Sequence, residues 1–349
     1  MQRGILLSSY AITTILFQML FGVLADRYQT MKKIILLSIV GFALCSAVLF
    51  FQNGVMFSLH LIIVAFSGGL LNTLCGLYDT WVLSTSQKLA NRLSFIKAFG
   101  SVGWAVGSFL ASYLIMFFSY KGMAISICLI MILALLTMKQ MPDMKQIKRS
   151  KKTNLRDVIA LCKDKQYVLL IVILFLLYSM VVANNCTVID KMIELGASQS
   201  DISWKWSLQS LLEIPTYMLG SKLLLRYRST SLLQFSAAML ILQFFLFALA
   251  STPFMMIAFS MFQLFSTPLL MITSKSLIQT ITKPELRGSS QMIALSIFTG
   301  LSSLFVPAIA GSLCMTIGIN TTLCSLCGLG ILAFLLLIYL RNTMKESIK

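Results

Sequence analysis

The sequence predicts an all-α integral membrane protein of about eleven transmembrane helices, and three observations carry that expectation. Of its 349 residues, 58% are hydrophobic and only 11% charged, whereas a soluble domain is roughly 45–50% apolar and about 25% charged. The apolar residues gather in runs of ~18 or more, long enough to cross a hydrocarbon core of ~30 Å. The charge is also patterned. A net +17 would suggest nucleic acid on a soluble chain, but here the basic residues sit between the apolar runs, as in cytoplasmic loops. An ordinary soluble enzyme, a nucleic-acid-binding domain and a disordered chain are thereby excluded.

In order, the runs lie at about 5–25, 34–51, 56–83, 94–118, 121–138, 167–185, 203–225, 231–250, 253–274, 288–314 and 321–340. None shows strand alternation, and backbone groups in lipid must bond within their own segment, so each is read as a helix. The connections at 51–55, 118–122 and 250–253 carry only Lys121, while the alternate ones carry Arg27, Lys32 and Lys33, then Lys88 and Arg92, then Arg226 and Arg228, then Lys275, Lys283 and Arg287. By the positive-inside rule these face the cytoplasm, which puts Met1 outside and Lys349 inside a cell membrane.

The connection at 139–166 is the longest and most basic, and it divides the chain into a bundle at 1–138 and a second bundle with its tail at 167–349. Asn154–Lys165 within it reads equally as an amphipathic helix on anionic headgroups or as a solvated linker. The two parts echo one another. Ser8–Tyr28 and Ser207–Tyr227 each hold a glycine followed, several residues on, by Arg-Tyr and a basic turn. Related halves joined by a cytoplasmic linker are the organisation of many secondary transporters.

Enzyme chemistry finds no footing here. The single histidine, His60, cannot build a metal site or a hydrolase triad, and the cysteines lie mostly inside apolar runs as core residues. Cys324 and Cys327 form a C-x-x-C in an apolar helix without further ligands, and no Gly-rich phosphate loop is present. No cofactor, no metal and no nucleic-acid partner is expected; the partners are lipid, a small-molecule substrate and a proton, and the chain is expected to act as a monomer.

The turn G-V-L-A-D-R-Y-Q-T-M-K-K, Gly22 to Lys33, is similar to the signature between the second and third helices of the major facilitator superfamily. Gly22, Asp26, Arg27 and Lys32 match; Gln29 and Met31 depart from it. The resemblance implies a two-bundle fold of twelve helices in which these four residues form a gating turn. Because the signature follows the first apolar run here, the chain resembles helices 2–12, lacking the first.

Within that superfamily, K-A-F-G-S-V-G-W-A, Lys97 to Ala105, resembles a stretch of helix 5 in the lactose permease and phenylpropionate permease branch. The resemblance places Lys97 at an arginine's position, Ser101 beside the substrate and Trp104 as a ring-stacking platform. It also pairs Lys97 with an acid eighteen positions earlier, Asp79. Lysine in place of arginine removes bidentate hydroxyl recognition. Ile257–Pro268 aligns with helix 10, where Ser260, Gln263 and Ser266 replace the coupling lysine, histidine and glutamate, and Gln243 replaces an arginine on the preceding helix. Gln263 can hydrogen-bond a substrate but cannot take up a proton.

One acid remains within the second-half helices: Glu213, in L-L-E-I-P-T. An ionisable group inside a membrane segment is expensive and marks a functional site. Glu213 is the first proton-coupling candidate and Asp79 the second. Asp190, Lys191, Glu194 and Asp201, in the outer loop Leu195–Ser203 and just before it, are read as solvated, and Trp204 and Trp206 as interfacial anchors. The expected function is secondary uptake of a sugar, nucleoside or aromatic acid with a proton, by alternating access. The alternative is a degenerate, non-transporting sensor or truncated relic of such a transporter.

Overall fold

A computed structural model describes residues 2–28, 30–52, 56–90, 92–143, 163–282 and 287–344. These are helical almost throughout, and they fall into two compact units: 1–93 with 110–149, and 94–109 with 150–349.

The first unit holds α1 (Gln2–Tyr28), α2 (Lys32–Phe51), α3 (Phe57–Thr85), the one-turn α4 (Gln87–Ala90) and the later part of α5 (Leu93–Gln140). Helix α2 is apolar on every side, as a helix shared between protein and lipid must be. It buries Ile35, Ile39 and Phe42 at helical spacing and leaves Leu37, Leu44 and Val48 exposed. The buried stripe meets Leu70, Leu74, Leu77 and Trp81 of α3, Phe21 of α1 and Met138 of α5. Helix α5 is broken at Ser119, whose φ of 59° is left-handed, a conformation costly for a residue with a Cβ.

The second unit holds the start of α5 and α6 (Lys165–Asn184), α7 (Thr187–Glu194), α8 (Gln199–Arg226), α9 (Ser229–Leu249), α10 (Pro253–Phe259), α11 (Thr267–Ile281), α12 (Arg287–Leu295), α13 (Ser302–Ile317) and α14 (Ile319–Thr343). A 3₁₀ turn, Ser260–Leu264, separates α10 from α11, and a π stretch, Ser296–Leu301, joins α12 to α13. Its core includes Leu170, Leu174 and Leu177 of α6, Leu233 and Phe244 of α9, and Leu323 and Leu337 of α14. Gly330 lets α14 approach closely: a Cβ there would come within 2.7 Å of Ile241 and 2.8 Å of Met180. Helix α8 opens on a capping box, Ser198 with Asp201. The Ser198 side-chain and backbone hydrogen bonds hold the Asp201 carboxyl below its usual range.

The helix count corrects the expectation of about eleven crossings. Among the described residues, eight stretches are long and apolar enough to span a membrane. Runs 94–118 and 121–138 form one such stretch, Leu93–Gln140. Helix α8 is not among the eight, because Lys205, Gln209, Glu213, Pro215 and Lys222 interrupt its apolar character. Nor is α1, several of whose side chains lie outside the described residues. Most of the 139–166 connection, including the segment at 154–162, also lies outside them.

A second expectation changes at Lys191. It lies in α7 just before the loop and is buried rather than solvated, its Nζ donating to Asn320 Oδ1.

Candidate functional site

Three of the residues singled out in the sequence meet in the second unit. Ser101 projects from the first turns of α5, Glu213 from the middle of α8 and Gln263 from the 3₁₀ turn. Ser101 Oγ donates to Glu213 Oε2 at 3.2 Å, and Gln263 Nε2 donates to Glu213 Oε1 at 2.8 Å. The carboxylate is thus held by two neutral donors, and Lys97, one turn before Ser101, acts on it electrostatically. The contacts continue beyond Gln263. Ser266 Oγ lies 3.2 Å from Gln243 Oε1 and 3.4 Å from Gln263 Oε1, so one hydroxyl bridges two amides. Gln243 is 1% exposed, and among the described residues its Nε2 has no hydrogen-bond partner. A buried amide donor left unmade costs about 1–3 kcal/mol.

The backbone places this chain of groups. The expected run 253–274 is a broken helix, stopping at Phe259 and restarting at Thr267 with Pro268 in its first turn. A proline at that position cannot continue an earlier helix but fits the start of a new one. The break frees carbonyl groups at membrane depth, where each must find a donor. Thr216 Oγ1 takes the Leu264 carbonyl, and Ser236 Oγ takes that of Ser266 at 2.6 Å. Gln263 and Ser266 sit in the break itself, and both are buried. Pro215, two residues after Glu213, removes a backbone donor from α8 in the same way.

Trp104 is 55% exposed and meets Trp206 edge-on, with centroids 6.4 Å apart. Asp79 is partly buried on α3, in the first unit. Gly22, Asp26 and Arg27 lie in the last turns of α1, with side chains outside the described residues. Lys32 opens α2, and its Nζ donates to the carbonyls of Lys139 and Met141, each at 2.8 Å, at the end of α5. Asp143 answers in the other direction. It accepts from Thr30 Oγ1 at 2.6 Å and from the backbone N–H of Met31 and Lys32 at 3.0 and 3.1 Å. A cation at one helix C-terminus and an anion at the next N-terminus are each favourable to the helix dipole.

Two buried side chains escaped the sequence reading. Asn184, at the end of α6, receives Lys205 Nζ at 2.8 Å, and Lys205 of α8 is fully buried. The available signal was a lysine between two tryptophans inside an otherwise uncharged turn of a membrane segment.

A largely apolar helical bundle, with a polar chain reaching a carboxylate beside a broken helix, is the architecture of a multi-pass membrane transporter. The sequence matches the MFS_1 like family over residues 2–324, and the chain belongs to that family. It is accordingly a secondary transporter of a small solute in the major facilitator superfamily, and not an enzyme. No curated protein matches the sequence. Among solved structures, a variant of the nucleoside transporter NupG is similar with a TM-score of 0.76 at 17% identity, covering 97% of this chain and 90% of that one. NupG itself gives 0.73 at 18% identity, covering 98% and 91%. The human organic anion transporter MFSD10 (TETRAN) gives 0.72 at 16% identity, covering 96% and 83%. These likenesses are of fold.

Proposed function

We propose that the protein is a proton-coupled uptake transporter in which Glu213 binds the proton and Ser101, Gln263 and Gln243 contact the substrate. The observation that carries this reading is the partly buried Glu213 carboxylate, held on α8 by the neutral donors Ser101 and Gln263. A carboxylate so placed can exchange its two donors for a proton as its surroundings change. The unpartnered Gln243 amide at the other end of the chain is a donor available to a substrate acceptor atom. Proton coupling and uptake accord with the lactose permease branch that the sequence resembles. Asp79 is the second proton-binding candidate, Trp104 a stacking surface, and Gly22, Asp26, Arg27 and Lys32 the gating turn. Nucleosides and organic anions, the cargoes named for the two similar transporters, are the first to test, followed by sugars.

Glu213→Gln imitates the protonated acid. In proteoliposomes it is expected to abolish accumulation driven by a pH gradient while sparing substrate exchange, which requires no proton release. Normal accumulation by this variant would show that Glu213 is structural.

A further inference from the structure

The start of α9 and the end of α14 border an open groove of about 520 Å³, lined by Arg228, Gln234, Phe334, Ile338, Arg341 and Asn342. The two helices pack antiparallel, with Cys327 Sγ 3.7 Å from the Ile241 carbonyl oxygen. Across the groove, Arg341 Nη1 donates to Gln234 Oε1 at 2.9 Å, which fixes one guanidinium in place. A guanidinium has five N–H donors, and this bond uses one. Arg228 stands immediately before the first turn of α9, whose N-terminus has no side-chain cap. The positive end of the helix dipole adds to the two charges. Neither helix contains an acidic residue to neutralise them. Glu346, five residues past Arg341, lies outside the described residues.

Both helices are long and apolar enough to cross a membrane, so the groove sits at the level where two spans end. Both arginines are exposed there. Deeper in, the lining turns apolar. Phe334 and Ile338 are one helical turn apart, and the exposed Leu335 and Ile331 continue along α14 away from its charged end. A cationic mouth above an apolar trough has the two-part chemistry of a phospholipid. We propose that this groove binds an anionic phospholipid of the adjoining leaflet, its phosphate held by Arg228 and Arg341 and an acyl chain lying along Phe334, Leu335 and Ile338. A soluble anion leaves the trough unfilled, and a zwitterionic lipid brings an ammonium against two guanidinium groups, so shape and charge together select the anionic lipid. On the orientation expected from the basic connections, the leaflet is the cytoplasmic one. The inference goes beyond the proposed transport site and shares no residue with it.

The test uses the purified full chain in a neutral detergent, with phosphatidylglycerol, phosphatidylcholine of the same acyl chains and inorganic phosphate as probes. Binding is read by native mass spectrometry and as a rise in melting temperature. Phosphatidylglycerol is expected to bind about tenfold or more tighter than phosphatidylcholine, the factor that a charge-assisted hydrogen bond confers. Inorganic phosphate is expected not to displace it. The double variant Arg228→Gln with Arg341→Gln is expected to erase the preference. Arg226→Gln, which removes a nearby arginine that does not line the groove, is expected to retain it. Gln234→Glu keeps a partner for Arg341 while setting a carboxylate in the groove, and is expected to expel the anionic lipid, so the test survives if the double variant does not fold. Equal binding of the two lipids, displacement by inorganic phosphate, an equal loss in Arg226→Gln, or a preference that persists in either folded groove variant overturns the proposal.

Discussion

The buried amide of Gln243 shows how a single atom can mark a binding site. Its carbonyl oxygen is bridged by Ser266, while its Nε2 is left without an acceptor in an environment that water does not reach. If that donor serves the substrate, replacing it with an apolar side chain of similar length removes an energetic burden from the empty protein. Gln243→Met is then expected to leave stability unchanged or raise it by up to about 1 kcal/mol, read as the melting temperature, while transport falls steeply. A clear loss of stability would mean that the amide is structural. Glu213 was legible as a candidate because a charged side chain is rare in a lipid-facing run, whereas Gln263 and Ser101 were candidates through the permease resemblance. That three of them would touch was not legible. They come from three helices, and no sequence spacing fixes rotation about three separate axes.

At the scale of elements, the broken helix from Pro253 to Ile281 matters most. Its hydropathy reads as one continuous span, since a 3₁₀ turn and an α-helical turn have the same composition. Only Pro268 and the cluster of Ser260, Ser266 and Thr267 hinted at the interruption. What permits the break is tertiary: hydroxyls from α8 and α9 satisfy the freed carbonyls. The reciprocal caps between α2 and the end of α5 are likewise built from residues over a hundred positions apart, and neither half is visible alone. Asp143→Ala removes three hydrogen bonds to a charged acceptor at the start of α2. It is expected to lower stability by about 1–3 kcal/mol, read as a fall in melting temperature in detergent. Asp143→Asn, which keeps an acceptor oxygen but loses the charge, should fall between the two. Equal melting of Asp143→Ala and the parent would dismiss the cap as a contributor.

Across the whole molecule, the basic connections alternate with nearly uncharged ones, and this alternation is the basis for an orientation. We propose that the end at Lys349 faces the cytoplasm. A reporter that functions only in the cytoplasm, fused after Lys349, should be active; activity instead from a reporter that functions only outside would reverse the topology. The count of spans is a different matter. Helix α8 is not among the eight described spans because it carries several ionisable and polar groups.

Composition and charge pattern determined by themselves that this chain is an α-helical membrane protein, because apolar length and the distribution of lysine and arginine are properties of the chain before it folds. The Gly22–Lys33 turn pointed to the superfamily by resemblance, and the family match over residues 2–324 shows it. Tertiary structure alone decided which polar groups meet. It joined Ser101, Glu213 and Gln263, turned Lys191 inward to Asn320, and enclosed Lys205 against Asn184 and Trp206. The physical reason is common to all three. In lipid a polar side chain gains little from its own helix, so its partner is set by which helices pack together, and that packing is written in side-chain shape over the whole bundle rather than in any local run of residues.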